Sequence, residues 1–230
     1  MQTETAARTT RGRLCAALVT VRGRVALVIG GESRWRRDPG CVLIPLELPG
    51  GSWPEGSSPE AAIAAIGRHW LGNPLHPLDA DVTYGPSARH AIDRLPPQNA
   101  PAPLLYLERL APADPERNEG VHRIAVAVYR AATDGAVGSA DKADALEPRG
   151  ECAGLLLLSW QALRQILRGL PLGDLLARED VTVRLRPGVS LPSEALVYLT
   201  AEYGERTLLR VTAKYGMQAL GKDADDGTGV

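Results

Sequence analysis

Apolar residues follow two rhythms along this chain, and together they sketch most of its elements. Compact runs rich in Val, Leu and Ile fall at Arg13–Val21 and Arg24–Gly30 and meet at Arg22-Gly23, which reads as a hairpin. Cys41–Leu48 is a third strand-like run, followed at once by Pro49-Gly50-Gly51. A sharp turn is expected there, because glycine enters positive φ at no steric cost and proline fixes φ just before it. Ser58-Pro59-Glu60 then has the marks of a helix start: a hydroxyl cap, a proline where its missing N–H costs nothing, and an acid at the positive end of the helix dipole. The helix propagates through Ala61–Leu71 and stops at Gly72-Asn73-Pro74. Ile63, Ile66 and Trp70 recur along it at helical spacing, as a core stripe does.

The remaining chain is less regular. Leu75–Pro103 is broken by proline, with strand-like residues around Val82–Tyr84 and a loop from Gly85 to Pro103 that carries Arg89, His90 and Arg94. Strands are expected at Leu104–Leu110, His122–Ala131 and Ala153–Ser159, and a helix over Gln161–Arg168 with Leu163, Ile166 and Leu167 on one face. Further on, Val181–Arg186 and Ala195–Thr200 alternate like strands. Glu205–Tyr215 reads as a helix with Leu208, Leu209 and Val211 apolar and Arg206, Arg210 and Lys214 on its polar side. The organisation this implies is a loose N-terminus (1–12), a main domain (13–178), a C-terminal extension (179–220) and a disordered tail (221–230).

Composition narrows the class. With 230 residues, 44% hydrophobic and 23% charged residues and a net charge of −1, the chain can bury a sizeable core and carries no excess charge that demands nucleic acid or membrane. No apolar run is long enough to span a bilayer and no leader pattern is visible, so the cytoplasm is the expected compartment. Cys15, Cys41 and Cys152 are odd in number and sit among apolar residues, which favours buried thiols over a disulfide or zinc framework.

The stretch Leu48–Gly72 resembles the Nudix box, a loop–helix that opens and closes on glycine. With Gly51 on its first glycine, Gly72 falls on its last without a gap, and Pro49, Gly50, Gly56, Ser58, Pro59, Glu60 and Ala62 also stand where such boxes commonly have them. Glu47-Leu48-Pro49-Gly50-Gly51 is similar to the turn of the ADP-ribose pyrophosphatase branch. The resemblance implies an α/β fold, a Nudix-like α/β/α sandwich with a mixed sheet through about residue 178, to which the C-terminal segment adds a small α/β extension.

The family's chemistry rests on glutamates that share one helix face and gather Mg²⁺ against a diphosphate. In this chain the glutamate positions hold Ser57, Ile66, His69 and Trp70, the arginine position Ala65, and a helix-interior aliphatic position Gly67. Isoleucine and indole cannot ligate a hard cation, and one imidazole prefers softer metals. The expectation is therefore a catalytically degenerate Nudix-fold protein with no catalytic residue, no metal and no cofactor. It would bind a nucleotide-like small molecule or a protein partner, with a homodimer possible and neither membrane nor nucleic acid as partner.

Candidate ligand contacts are the Gly50 and Gly51 backbone, Trp53, Arg34, Arg36 and Arg89; Arg37 belongs to the same basic-aromatic loop. Trp53 reads equally as a lid over the core, and Trp35 as a side chain folded onto the sheet. One alternative is an active hydrolase of nucleoside-diphosphate-linked compounds that uses Mg²⁺ and recruits Glu47, Glu55, Glu60, Glu147 or Glu151. Another is a Nudix-related transcriptional regulator acting through the C-terminal segment.

Overall fold

The computed structural model describes residues 13–86, 92–96, 100–111, 122–133, 146–193, 196–201 and 206–215. Its first half runs β1 (Arg13–Val21), β2 (Arg24–Ile29), β3 (Arg36–Asp38), β4 (Cys41–Glu47), β5 (Gly50–Ser52), α1 (Pro59–Leu71), β6 (Leu75–Leu78), β7 (Tyr84–Pro86) and β8 (Ile92–Arg94). The second half runs β9 (Leu105–Ala111), β10 (His122–Thr133), β11 (Gly154–Leu158), α2 (Trp160–Leu167), α3 (Leu172–Leu176), β12 (Val181–Leu185), β13 (Leu196–Thr200) and a last helix, α4, over 206–215.

The sheet is mixed. Its main path is β12-β11-β2-β1-β10-β9-β7-β8, with β1 parallel to β10 and β13 parallel to β4, while β1–β2 and β2–β11 are antiparallel. Side chains alternate across a strand, and here both faces are covered, which is why the central strands read as nearly continuous apolar runs. On β1, Cys15, Ala17 and Val19 join one core and Ala16 and Leu18 the other; on β2, Ala26 and Val28 oppose Val25, Leu27 and Ile29 in the same way.

Helix α1 covers the first face through Ala62, Ile63, Ile66 and Leu71. The second face is covered by Ala162, Leu163 and Ile166 of α2, Leu172 and Leu175 of α3, and Leu208, Leu209 and Ala213 of α4. The result is the expected mixed-sheet α/β arrangement, with helices on both sides. The segment after residue 178 packs into the same core: β12 extends the sheet beside β11, β13 lies along β4, and α4 closes the second face.

Several expectations are corrected by the geometry. Gly50 and Gly51 are not in the positive-φ region; they are extended, as β5, and pair with Cys15 and Ala16 of β1. Glycine at 50 suits a close approach, since a Cβ there would stand 3.3 Å from the Cys15 carbonyl oxygen, tighter than side chains usually come. The proline-broken stretch from Leu75 holds β6, and the loop from Gly85 holds β8; the strand expected at Val82–Tyr84 begins only at Tyr84. Cys15 and Cys152 are buried thiols as expected, whereas Cys41 is half-buried at the start of β4. The expected loose N-terminus 1–12, the tail 221–230 and Arg89 lie outside the described residues.

No helix among the described residues is long and apolar enough to cross a membrane.

Candidate functional site

The loop–helix that organises the sequence also organises the molecule's most suggestive cavity. The Ser58 hydroxyl accepts the Ala61 N–H at 3.2 Å, which starts α1, and Gly72 ends it in the left-handed conformation at φ 75°. Inside the helix, Gly67 allows the chain to fold straight back along it: a Cβ would lie 2.5 Å from the Asn73 carbonyl oxygen and 2.6 Å from Leu75. The aliphatic residue that Nudix boxes carry there would not fit against β6.

Helix, β5 and β1 thus enclose a cavity of about 250 Å³. Leu14, Ala16, Leu48, Val126 and Leu208 give it apolar walls, while Gly50, Gly51, Ser52 and Glu47 give it polar edges. Trp70 forms one wall and is fixed by its indole N–H, which donates to the Gly50 carbonyl at 2.7 Å. Cys15 also lines the cavity; burial pushes its thiol up to about 11, so it stands there as a neutral, unreactive group. Leu208 comes from α4, so the C-terminal helix contributes directly to this cavity.

The four glutamate positions of the family meet different fates. Ile66 is 5% exposed and packed in the α1 core, as the helical stripe predicts. Trp70 is half-buried against that core, His69 is exposed and meets the Trp70 ring edge-on at 4.6 Å, and Ser57 is half-buried in the loop before the helix. None of the four offers a carboxylate, and among the described residues no group of three or more His, Cys, Asp or Glu could hold a metal ion. The residues in place do not fit Mg²⁺, a hard cation that asks for several oxygen donors.

Of the five candidate acids, Glu47 alone lines the cavity, and Arg34 meets it at 2.6 Å. Glu55 and Glu151 are exposed and outside its lining, as is Glu147, which pairs with Arg149 at 3.1 Å. Glu60 is exposed at the helix start, where its own backbone N–H and then Ser58 hold its carboxyl below the usual range.

Among the candidate ligand contacts, Gly50 and Gly51 line the cavity and Arg34 stands at its rim through Glu47. Trp53 does not line it: its indole donates to the Ser57 carbonyl at 3.0 Å and its ring meets Tyr129 edge-on at 6.0 Å, over the core. Arg36 is exposed on β3, and Trp35 is folded onto the sheet with its N–H on the Gly30 carbonyl at 2.8 Å. The sequence pattern missed the part of Leu208, whose place in the cavity depends on how α4 docks; its apolar position on a helix was the only signal.

No family model matches the chain, and no curated protein matches it in sequence. Among solved structures it is similar to the E. coli ORF135 protein, with 13% identity, 92% of this chain and 94% of that one covered, and a TM-score of 0.39. It is also similar to a MutT Nudix hydrolase from Burkholderia pseudomallei (14% identity, 86% and 95% covered, TM-score 0.36). A third is an ADP-ribose pyrophosphatase from Streptococcus suis (10% identity, 66% and 76% covered, TM-score 0.34).

Proposed function

We propose that the chain is a catalytically degenerate Nudix-fold protein whose loop–helix binds a nucleotide-like ligand without hydrolysing it. The observation that carries this reading is the helix face itself: where the family gathers carboxylates, this chain has a buried Ile66 and a Trp70 fastened to the Gly50 carbonyl. Ile66 serves the core and Trp70 the cavity wall, and neither can neutralise a diphosphate or generate a hydroxide.

A ligand is still accommodated. Apolar walls with a few polar edges are how small-molecule sites are commonly built, and a flat ring suits a space of about 250 Å³ bounded by Trp70, Leu48 and Val126. Polar groups on that ring would meet Glu47, Ser52 and the Gly50-Gly51 backbone at the edges. The rearranged hydrolase has one observation in its favour, Glu47 on the cavity rim; but a single carboxylate already held by Arg34 is a poor substitute for a clustered set.

The test is a product-release assay on ADP-ribose, nucleotide sugars and dinucleoside polyphosphates with Mg²⁺ or Mn²⁺. The expected outcome is no release above background. Metal-dependent turnover that disappears in Glu47→Gln would overturn the proposal and establish a rearranged active site.

A further inference from the structure

A second concave site lies away from the loop–helix, between α2 and α4, and its chemistry is of another kind. Arg164 and Arg168 from the α2 side and Arg206, Arg210 and Lys214 from α4 line one cleft of about 380 Å³. All five are exposed, and among the described residues no carboxylate lines the cleft. From this juxtaposition we infer that the cleft is a binding site for an oligophosphate, the condensed phosphate chain of a small molecule.

Solvated helix faces often carry cations, and the negative end of the α2 dipole would by itself account for Arg164 and Arg168. It does not account for Arg206 and Arg210, which α4 brings to the same cleft along with Lys214, whose ammonium also lies 4.9 Å over the Tyr215 ring. Like charges at i and i+4 oppose helix formation rather than favour it, and here two such series face each other across one hollow. An anion between them relieves both. The i,i+4 steps along α4 place successive cations about 6 Å apart along the axis, so the charge is spread over a line. A chain of phosphates matches such a line better than one phosphate does, and the guanidinium forks supply paired donors for its oxygens.

The rest of the ligand has a place to go. The cleft shares Arg206 and Leu167 with an adjoining apolar groove of about 260 Å³, bordered by Leu43, Ile166 and Tyr198. Arg206 is steadied at that junction by donating to the Leu167 carbonyl at 3.1 Å. A phosphate chain in the cleft can therefore continue into an apolar moiety in the groove. A nucleic-acid backbone is the less suited polyanion: the cationic groups sit in a hollow between two helices, and a net charge of −1 gives the chain no overall attraction for a long polyanion.

Inorganic tripolyphosphate titrated into the full-length protein by calorimetry tests this. Binding is expected, weakening at least tenfold in Arg168→Glu/Arg210→Glu and clearly in the milder Arg164→Gln/Lys214→Gln. Arg68→Gln, exposed on α1 across the sheet from the cleft, should leave affinity unchanged, and circular dichroism should report the same fold for all variants. Absence of binding, binding indifferent to both cleft variants, or binding abolished instead by Arg68→Gln would each overturn the inference. Tighter binding of a single-stranded oligonucleotide than of tripolyphosphate to the same cleft would also overturn it, in favour of a nucleic-acid site.

Discussion

The cavity beside α1 and the cleft between α2 and α4 sit in one chain and are built in opposite ways. The first is walled by side chains that also form the core, and Glu47, the one acid in its lining among the described residues, is met by Arg34 at 2.6 Å. The second is assembled from exposed arms, five cations with no carboxylate in its lining among the described residues. A site made from core residues cannot be altered without touching stability, whereas one made from solvated residues can change its affinity freely. Substitutions at the two places should therefore register in different measurements.

The largest effect on stability is expected from placing on α1 a carboxylate of the kind that Nudix boxes carry there. Ile66→Glu would put an unpaired acid where the native side chain is 5% exposed, at a cost of about 3–5 kcal/mol in urea unfolding, from lost apolar burial plus desolvation. A loss under about 1 kcal/mol would mean that the helix face opens to water and could accept a metal after all.

Trp70 comes next. Its half-buried ring packs on the α1 core and its N–H holds the Gly50 carbonyl, so Trp70→Ala should cost about 2–3 kcal/mol, somewhat less than a fully buried tryptophan. Trp70→Phe keeps most of the packing and loses only the hydrogen bond, about 1 kcal/mol. Equal losses for the two would assign the whole effect to the Gly50 contact.

A matched charge pair provides the intermediate case. Asp180 accepts hydrogen bonds from Arg178, at 2.9 Å, and from Ser159, the α2 cap, and these hold its carboxyl at about 2, below its ordinary 3.8. A depressed carboxyl stabilises the fold fully above its unfolded value and ceases to do so as pH falls through its folded one. Asp180→Asn should then cost about 1 kcal/mol near neutrality, allowing for solvent screening, and the difference from wild type should shrink between roughly pH 4 and pH 2. A difference constant over that range would show that the pair adds nothing through its charge.

The smallest stability effect belongs to the cleft. Arg168→Glu/Arg210→Glu should change unfolding stability by no more than about 0.5 kcal/mol, because both positions are exposed. A larger loss would make these arginines part of the structural frame.

How much of this was legible in the sequence follows from the range of each interaction. Helix α1 was readable almost to the residue, since Ser58, Pro59 and Gly72 act locally, and the hairpin of β1 and β2 likewise. The buried Ile66 followed from helical spacing. The three- to five-residue elements β3, β5, β6, β8 and α3 were not readable, because so short a segment shows no period and its pairing is decided by a distant partner. Gly50 illustrates the difference: its composition suggested a positive-φ turn, while its actual constraint is the approach of Cys15, thirty-five positions earlier in the chain. Gly67 is similar, its need set by Asn73 and Leu75 folding back. The polar face of α4 was visible as three cations, but its meeting with Arg164 and Arg168 is a product of docking alone.

Binding without hydrolysis at the loop–helix is tested most directly by titrating ADP-ribose calorimetrically into the protein, once in EDTA and once in Mg²⁺, and then analysing the recovered ligand. The expected result is the same affinity in both buffers, intact ADP-ribose afterwards, and weaker binding in Trp70→Ala. Binding that requires Mg²⁺, or ligand recovered as hydrolysis products from the wild type and not from Glu47→Gln, would contradict the degenerate site.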